Sequence, residues 1–452
     1  MRLRKTITTI VATAILLAGW QLFAVIANQP ELIPSLPRLV RTLCEWLVSG
    51  SFYQSVGATI LRGVLGMSIS FVCAIGMAGL FARFEWVYEL FRPLLAIMRS
   101  IPVISFILLA LIFLNPESIP LMIAFLTMFP LLTENLTRGI LDLRPGLSIM
   151  ARQFHIRRSN VLFQIIYPQL KPFLYSGLAS AAGFGWRAII MGEVLSQCAF
   201  GIGSEMKRAQ NFIAVPELLA WTIVAVFISF FFDKGISKVA DITPKISFAN
   251  EDQTIPTPTL SVLDTKDISY QYGIQHFSHS FQKGIIYGIS APSGKGKTTL
   301  LNLIGGILLP TEGEIHPTRH FGIATIFQQP QLLPHLTAEE NIILPLSSFL
   351  TEEKARRIAQ KHLHRKEMEP FGNRYPKELS YGQQQRIAIA RALAYPSPLL
   401  LMDEPFKGLD EALSHRIIER IREKQMKEER IILFTSHNPD EIRLLADEVI
   451  YL

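Results

Sequence analysis

Long apolar segments run through the first 240 residues of this chain, and they constrain its fold more than any other feature. A helix that crosses a bilayer needs about 20 apolar residues. The segments that approach or reach this length are Ile7–Ala27, Gly63–Phe81, Ile101–Leu114, Ile119–Leu132, Phe173–Val194 and Pro216–Phe232. The third and the fourth are short. The pattern therefore predicts an N-terminal all-α transmembrane bundle of about six spans over residues 1–240, embedded in a lipid bilayer.

The first apolar segment has a second interpretation. Arg2, Arg4 and Lys5 precede Ile7–Ala27, as basic residues do in a secretory signal peptide. The apolar stretch is long for a signal peptide, and no small-x-small cleavage site follows it. We expect a membrane span here, with a cleaved signal peptide as the alternative.

Basic residues are distributed unequally around the predicted spans. Six spans place both ends of the chain on one side. The predicted inner segments carry most of the flanking basic residues: Arg2, Arg4, Lys5, Arg83, Arg92, Arg99, Arg138, Arg144, Arg152, Arg157, Arg158, Lys171, Lys234, Lys238 and Lys245. The predicted outer segments carry fewer: Arg38, Arg41, Arg62, Lys207 and Arg208. Because Lys and Arg are enriched in cytoplasmic loops, we expect a multi-pass protein of the inner (cytoplasmic) membrane with a cytosolic second half. This orientation also explains the net charge of +7, so no nucleic-acid partner is expected.

A glycine-rich loop in the second half predicts a nucleotide site. A short apolar run, residues 285–290, precedes the loop, and a helical pattern follows it from Thr298. In this strand–loop–helix context, backbone N–H groups and the helix N-terminus face bound phosphates. Lys297 would reach the β- and γ-phosphates of ATP, and the Thr298 hydroxyl would bind Mg²⁺. The candidate contacts are Ala291, Pro292, Ser293, Gly294, Lys295, Gly296, Lys297, Thr298 and Thr299.

The first position of this loop departs from the usual pattern, which has Gly there. In this chain the residue is Ala291. If its backbone φ angle is positive, the methyl group costs roughly 1–2 kcal/mol.

Further motifs follow the loop in a fixed order. They are a segment with Gln328 (Thr325–Pro330), a segment Leu379–Arg386 (LSYGQQQR), an apolar strand ending in two carboxylates (Pro398–Pro405), the segment Lys407–Asp410, and His437 after the apolar run 431–434. A continuous apolar run suits a central parallel strand. With this order, residues 260–452 resemble the ATPase domain of ATP-binding cassette (ABC) transporters. The resemblance implies an α/β P-loop ATPase domain with a mainly parallel sheet and a helical insert near Leu336–His364.

The resemblance also implies roles for the residues around the phosphates. Asp403 would hold Mg²⁺, and Glu404 would orient or deprotonate the attacking water. Gln328 would contact Mg²⁺ or that water, and His437 would contact the γ-phosphate. Tyr272 would stack on adenine, with Tyr270 as the alternative.

In this family the segment Leu379–Arg386, here named the signature segment, closes over ATP that the opposite subunit holds. Ser380 and the backbone N–H of Gly382 would bind the γ-phosphate at a helix N-terminus, with Gln383 beside them. The family has Gly at the third position, where this chain has Tyr381. A bulky ring there is expected to change closure or slow turnover.

The predicted inner segment between the fourth and fifth spans carries a second resemblance. Ser148–Asn160 is predicted to be helical and leads to Ile165–Pro168. This resembles the cytoplasmic loop of bacterial ABC importer permeases, although only Ala151, Ile165 and Pro168 match its pattern. The resemblance implies a short helix that docks on the ATPase domain. Three nearby arginines either contribute polar contacts to that docking or only keep the loop in the cytosol: Arg152, Arg157 and Arg158.

Two shorter features complete the membrane half. Leu90–Pro93 followed by Ser100–Pro102 resembles importer permeases of the nitrate, sulfonate and taurine type. Glu193 lies at the end of the fifth predicted span, where a functional role and an interfacial position are both open.

Residues 241–259 contain several prolines and few large apolar residues, which predicts a tether between a permease domain (1–240) and an ATPase domain (260–452).

The motif inventory also predicts an assembly. Each ATP site in this family needs a phosphate loop from one subunit and a signature segment from another, and this chain has one of each. We therefore expect a homodimer that binds ATP and Mg²⁺. Three functions compete. The favoured one is import of a small anion or organic molecule, such as a nitrate-, sulfonate-, taurine- or thiamine-precursor-like solute, with a separate extracytoplasmic substrate-binding protein. The alternatives are an exporter half-transporter and a non-catalytic ATP-binding regulator.

Overall fold

The computed structural model describes residues 2–240, 244–253, 260–271, 273–292, 294–317, 322–365 and 367–452. The chain divides into two compact units. The first unit comprises Met1–Leu143 and Gln169–Thr243, and the second comprises Arg144–Pro168 and Pro244–Leu452. Residues 144–168, which the sequence places between two spans, therefore belong with the second half of the chain.

The helices of the first half differ widely in length. In chain order they are α1 (Arg2–Ala27), α2 (Leu36–Trp46), α3 (Gly50–Arg83), α4 (Glu85–Ser100), α5 (Val103–Phe113), α6 (Ile119–Leu141), α7 (Pro145–Gln153), α8 (Arg158–Asn160), α9 (Tyr167–Ser196), α10 (Ile202–Asn211) and α11 (Val215–Ala240). A π-helical turn, Val161–Ile166, joins α8 to α9. Helices α7 and α8 belong to the second unit.

Among the described residues, four helices are long and apolar enough to cross a membrane: Gly50–Arg83, Pro116–Leu141, Arg158–Ser196 and Val215–Lys238. Helices α4 and α5 make a fifth if the pair is counted as one span, although they meet at a bend of 95°. The expected six spans are therefore reduced to four or five. The bend falls at Ile101–Pro102, because the residue before a proline is disfavoured in helical conformation and Ile101 is extended (ψ 130°). In the first predicted span, Val11–Ala27 is a shorter apolar helix within the residues whose side chains are described.

The first unit packs through small residues. The buried positions of α3 recur every three or four residues, and nearly all are small: Ser55, Thr59, Gly63, Gly66, Ser70, Ala74, Ala78 and Phe81. A Cβ atom on Gly66 would lie 2.6 Å from the Cβ of Ala124 on α6. In membranes such small faces allow helices to approach closely, and van der Waals packing then holds them together.

Glu193 is fully buried at the end of α9 and has several polar partners. Its carboxylate accepts hydrogen bonds from Arg62 Nη1 (2.7 Å), Thr59 Oγ1 (3.0 Å) and the backbone N–H of Gly203 (2.9 Å). Arg62 also pairs with Glu117 at 2.7 Å. A buried charge requires such a set of partners, so this network joins α3 and α9 to the start of α10.

The second unit contains two sheets. An antiparallel sheet, ordered β2-β1-β4, consists of β1 (Val262–Tyr270), β2 (Ile274–Gln282) and β4 (Glu312–His316). A parallel sheet, ordered β5-β6-β7-β3-β8, consists of β3 (Ile286–Ser290), β5 (Ala324–Ile326), β6 (Leu399–Asp403), β7 (Ile431–Thr435) and β8 (Glu448–Tyr451). Strands β6 and β7 are buried at every position, as their apolar sequences predict.

Helices surround the parallel sheet. They are α12 (Lys297–Gly305), α13 (Ala338–Leu346), α14 (Glu352–Arg365), α15 (Tyr381–Ala394), α16 (Glu411–Glu428) and α17 (Pro439–Leu445). Helices α13 and α14 form the expected helical insert. Thr337 caps α13 with a reciprocal capping box to Glu340, which defines where that helix begins.

Part of the predicted tether has defined contacts. Residues 244–253 hydrogen bond within the second unit: the backbone N–H of Ala249 donates to Ser347 at 3.0 Å, and that of Gln253 donates to Phe349 at 2.9 Å. Backbone groups of this stretch supply these two bonds. Residues 241–243 and 254–259 lie outside the described residues.

Candidate ATP site and its contacts with the 144–168 segment

The phosphate loop joins β3 to α12. Gly294 and Gly296 have left-handed φ angles of 80° and 88°, which glycine adopts without steric cost. Ala291 is not among the residues with positive φ, so the expected cost of its methyl group does not arise. A Cβ on Gly296 would lie 2.6 Å from the carbonyl oxygen of Gly273. The backbone of Gly273, which follows the predicted adenine-stacking residue in the sequence, therefore lies close to the phosphate loop.

Two of the predicted contacts, Ser293 and Tyr272, lie outside the described residues. Of the others in the loop, Lys295 is exposed and Thr299 is half-buried. Tyr270, the alternative to Tyr272, ends β1.

Lys297 is buried at the start of α12. Its ammonium group donates to the carbonyl oxygens of Ala291 (2.6 Å) and Pro292 (3.3 Å). The lysine thus closes the loop on itself, and phosphate oxygens would replace these carbonyls as acceptors when a nucleotide binds.

The residues predicted to hold Mg²⁺ lie together. Thr298 Oγ1 donates to Asp403 at 2.9 Å, and Thr435 Oγ1 donates to the same carboxylate at 2.8 Å. Asp403 and Thr435 are paired in register at the ends of β6 and β7. Burial raises the pKa of Asp403 above its ordinary value, although both hydroxyl hydrogen bonds oppose the shift. Hydroxyl and carboxylate oxygens are donors that suit the hard cation Mg²⁺.

Glu404 follows immediately and collects several polar partners. His437 Nε2 lies 3.0 Å from one carboxylate oxygen, and Lys407 Nζ lies 3.2 Å from the other. Burial raises the pKa of Glu404, but hydrogen bonds and charge from Lys407, the charge of His437 and a hydrogen bond from Gln328 outweigh it, so the pKa is lowered. The carboxylate is therefore ionised, as a base that accepts a proton must be.

The backbone of Glu404 is unusual. Its φ angle is 47°, a left-handed conformation that costs a non-glycine residue roughly 1–2 kcal/mol. The backbone N–H donates to Thr435 Oγ1 at 3.1 Å, which helps to hold this conformation. Thr435 was missed by the sequence argument, although a hydroxyl residue ending the strand beside β6 was a usable signal.

The signature segment begins α15. Ser380 caps the helix, accepting a hydrogen bond from the N–H of Gln383 at 3.3 Å and donating its own N–H to the Gln383 side chain at 2.9 Å. A Cβ on Gly382 would lie 2.8 Å from the carbonyl oxygen of Gly408, so glycine is required there. The signature segment hydrogen bonds to residues 328, 376 and 405, and it packs against Gly408.

The 144–168 segment packs on the ATPase fold within the second unit. Gln153 Nε2 donates to the carbonyl oxygen of Gly305 at 2.7 Å, and the backbone carbonyl of Gln153 accepts from Ile323 at 2.9 Å. Phe154 is fully buried with its ring edge-on to Tyr395 (5.2 Å) and 5.4 Å from the Arg391 guanidinium. Arg391, also missed by the sequence argument, donates to the carbonyls of Pro330 and Gln331.

The three arginines of this segment differ. Arg157 donates through its backbone N–H to Ser348 (3.0 Å) and through Nη1 to Phe248 (3.3 Å). Within the described part of the chain, the side chains of Arg152 and Arg158 form no hydrogen bond or ion pair. Only Arg157 therefore contributes polar contacts to the docked segment.

Comparison with known proteins assigns the two halves separately. Residues 274–407 match the model of the ABC transporter family, and residues 68–233 match that of the binding-protein-dependent transport system inner membrane component. The chain is 34% identical over 201 residues to an ABC transporter ATP-binding protein of Methanocaldococcus jannaschii, with 40% of this chain and 85% of that protein covered. It is 34% identical over 205 residues to the thiamine import ATP-binding protein ThiQ of Yersinia pseudotuberculosis, with 42% and 86% covered.

A further relative is longer than the matched region. The Fe(3+) ions import ATP-binding protein FbpC of Rhizobium etli is 35% identical over 189 residues, which cover 40% of this chain and 54% of that protein. The chain thus spans about half the length of this relative. The matches cover most of the length of the other two, and a permease-type region precedes the ATPase domain, so this chain belongs to the ABC transporter family.

Proposed function

We propose that this chain is a fused permease and ATPase subunit of an ABC importer, and that two copies use ATP to move a small solute into the cytosol. The observation that carries the proposal is the docking of the 144–168 segment. This segment lies inside the region that matches a permease model, yet Gln153 and Phe154 are buried against the ATPase fold. A mechanical connection between nucleotide state and membrane helices needs such a contact.

ATP is the proposed substrate of the site at the ends of β3 and β6. The loop amides and Lys297 would bind its phosphates. The ionised Glu404 would orient the attacking water and accept its proton, while His437, 3.0 Å away, would stabilise the carboxylate and contact the γ-phosphate. The Gln328 side chain interacts with the Glu404 carboxylate, so it would help to position the attacking water beside this base.

Mg²⁺ is the proposed cofactor. Thr298 and Asp403 would hold it through oxygen atoms, and Gln328 is the further candidate ligand. When bound, the ion would neutralise negative charge on the β- and γ-phosphates. Thr435 would keep the Asp403 carboxylate in orientation through its 2.8 Å hydrogen bond.

A homodimer is the proposed assembly. The chain has one phosphate loop and one signature segment. Two copies would form two equivalent ATP sites by two-fold symmetry. The ATPase domains of both copies would lie on the cytosolic side of the inner membrane.

Import is favoured over export by the family match of the membrane half, whose description names a binding-protein-dependent system. It also supports an extracytoplasmic substrate-binding protein as partner. An exporter half-transporter is the alternative. A non-catalytic regulator is disfavoured, because Lys297, Asp403, Glu404 and His437 are all present and Ala291 is unstrained.

The solute is proposed only as a small ion or organic molecule. The relatives above are named for Fe(3+) and thiamine import, and they match through the ATPase half, which does not select the solute. They give no support to the narrower nitrate, sulfonate or taurine class, which rests on Leu90–Pro93 and Ser100–Pro102 alone.

Vesicle transport tests the proposal. Proteoliposomes would hold the full chain, with the lumen loaded with labelled nitrate, taurine, thiamine or ferric iron and the candidate binding protein. ATP added outside reaches only ATPase domains that face outward. Import predicts ATP-dependent loss of one solute from the lumen, abolished in Glu404→Gln but not in the surface control Glu353→Gln. With the labelled solute supplied outside instead, ATP-dependent accumulation in the lumen would establish an exporter.

A further inference from the structure

Tyr381 makes two specific contacts within its own chain. Its hydroxyl donates to the backbone carbonyl oxygen of Gln328 at 2.9 Å. Its ring lies over Gly408, where an added Cβ would be 2.7 Å from the ring atom Cδ1. Since Gly408 has a φ angle of 80° and no side chain, it leaves room for the ring. Tyr381 therefore fits between the segment containing Gln328 and the segment Lys407–Asp410.

The other side of Gln328 reaches the proposed base. The Gln328 side chain lies close enough to the Glu404 carboxylate to interact with it. The peptide that carries this side chain is thus held by the Tyr381 hydroxyl. A glycine at position 381 could not supply this bond, because it has no side chain.

The same helix holds the segment at a second point. Arg391 donates to the carbonyls of Gln331 (2.7 Å) and Pro330 (2.8 Å). Positions 381 and 391 are about 15 Å apart along α15 at 1.5 Å per residue. Helix α15 consequently anchors residues 328–331 at both ends, with Tyr381 at the end nearest Glu404.

We propose that Tyr381 is a positioning residue for ATP hydrolysis, which holds the backbone of Gln328 so that its side chain meets Glu404 in the same chain. This inference rests on the proposed ATPase function and extends it. The ring at the third signature position thereby supports turnover rather than hindering it. Its action is within one subunit, in contrast to that of Ser380 and Gly382, which are proposed to contact ATP held by the partner.

Removing only the hydroxyl gives the sharpest test. Tyr381→Phe keeps the ring over Gly408 and deletes the bond to Gln328. Loss of a neutral, partly solvated hydrogen bond is expected to lower a rate that depends on it by about three- to tenfold. We expect kcat to fall by about that factor with KM for ATP within about twofold, since the phosphate contacts are untouched. Tyr451→Phe, an exposed tyrosine at the end of β8, is the matched control and should behave as wild type.

A double-mutant cycle identifies the route of the effect. In a Gln328→Ala background, Tyr381→Phe should lower kcat no further, because the group that it positions is gone. An unchanged kcat in the single variant, or a full additional loss in the double variant, would overturn the proposal.

Amide hydrogen exchange separates this inference from the proposed function. In the nucleotide-free full chain, the amides of Gln328, Gln329 and Gln331 should exchange about three- to tenfold faster in Tyr381→Phe than in wild type. Equal exchange would overturn the positioning role whether or not the protein hydrolyses ATP. Absence of hydrolysis in the wild type, with faster exchange in the variant, would overturn the proposed function and the catalytic consequence but leave the contact established.

Discussion

Replacing Gln153 with Leu should detach the 144–168 segment from the ATPase fold. The Gln153 side chain is buried and donates to the carbonyl of Gly305 at 2.7 Å, and Thr325 Oγ1 adds a weak bond to it at 3.4 Å. Leucine has a similar volume, so packing is largely kept and the polar contact is what changes. The backbone bond from Ile323 remains.

The expected loss of docking free energy follows from the Gly305 carbonyl, which would have no side-chain donor in the variant. Gly305 is buried at the end of α12, so its oxygen would lose its partner and gain no water. An unsatisfied buried group costs about 1–3 kcal/mol. Since about 1.4 kcal/mol corresponds to a tenfold change in an equilibrium constant, the docking equilibrium should weaken by roughly 5- to 150-fold.

Amide exchange and transport together measure this change. We expect the amides of α7 (Pro145–Gln153) to exchange roughly tenfold faster in Gln153→Leu, while ATP affinity stays unchanged because the phosphate loop is untouched. Solute moved per ATP hydrolysed should fall. Arg152→Ala is the control, since the neighbouring Arg152 side chain is exposed and makes no hydrogen bond or ion pair in the described part of the chain. Wild-type protection of α7 in Gln153→Leu would refute the reasoning.

Three other substitutions test separate parts of the structure. Gly66→Leu should destabilise the first unit by about 1–3 kcal/mol, since the added Cβ would lie 2.6 Å from the Cβ of Ala124. Thermal unfolding in detergent should show a lower unfolding temperature for this variant. Gly79→Leu is the control and should be unaffected, because a Cβ there meets nothing within 4 Å. Thr435→Val keeps the shape of the side chain but removes the hydrogen bonds to Asp403 and to the Glu404 backbone. If this loss raises the activation free energy by roughly 1–1.5 kcal/mol, kcat should fall about tenfold. A wild-type kcat in an ATPase assay would contradict this role of Thr435. Burial raises the pKa of Tyr395 to about 12, so the folded state keeps a proton that the unfolded state loses above pH 10. Stability should therefore be fully present below pH 10 and decline by roughly 1 kcal/mol per pH unit up to about 12, and denaturant unfolding of Tyr395→Phe should show a shallower decline.

The ATPase half was predictable because its motifs combine with a known order of strands. Asp403 and Thr298 were both assigned from sequence, and they meet because parallel strands and their following loops converge at one edge of the sheet. Thr435 escaped the argument, since a hydroxyl residue after an apolar strand has no distinctive pattern. The consequence of Tyr381 was also invisible: the sequence shows a bulky substitution, whereas the fold supplies the space over Gly408 and the carbonyl of Gln328.

The membrane half was less predictable for a physical reason. Hydropathy reports that a segment can enter lipid, but it does not report where a helix bends. The third predicted span, Ile101–Leu114, therefore corresponds to one arm of a pair bent by 95° and counts as a span only together with α4. The role of Glu193 depended on partners distant in sequence, Thr59 and Arg62. Residues 244–253 were predicted as part of a tether from their composition. Composition does not report backbone hydrogen bonds such as those from Ala249 and Gln253.

ATP hydrolysis by the purified full chain in lipid nanodiscs, compared with Glu404→Gln, tests the central claim most directly. The account predicts Mg²⁺-dependent turnover that falls by about a hundredfold or more in the variant, as loss of a general base does, while ATP binding persists and Glu353→Gln remains active. Equal turnover in the wild type and Glu404→Gln, or ATP binding with no turnover in either, would contradict the account.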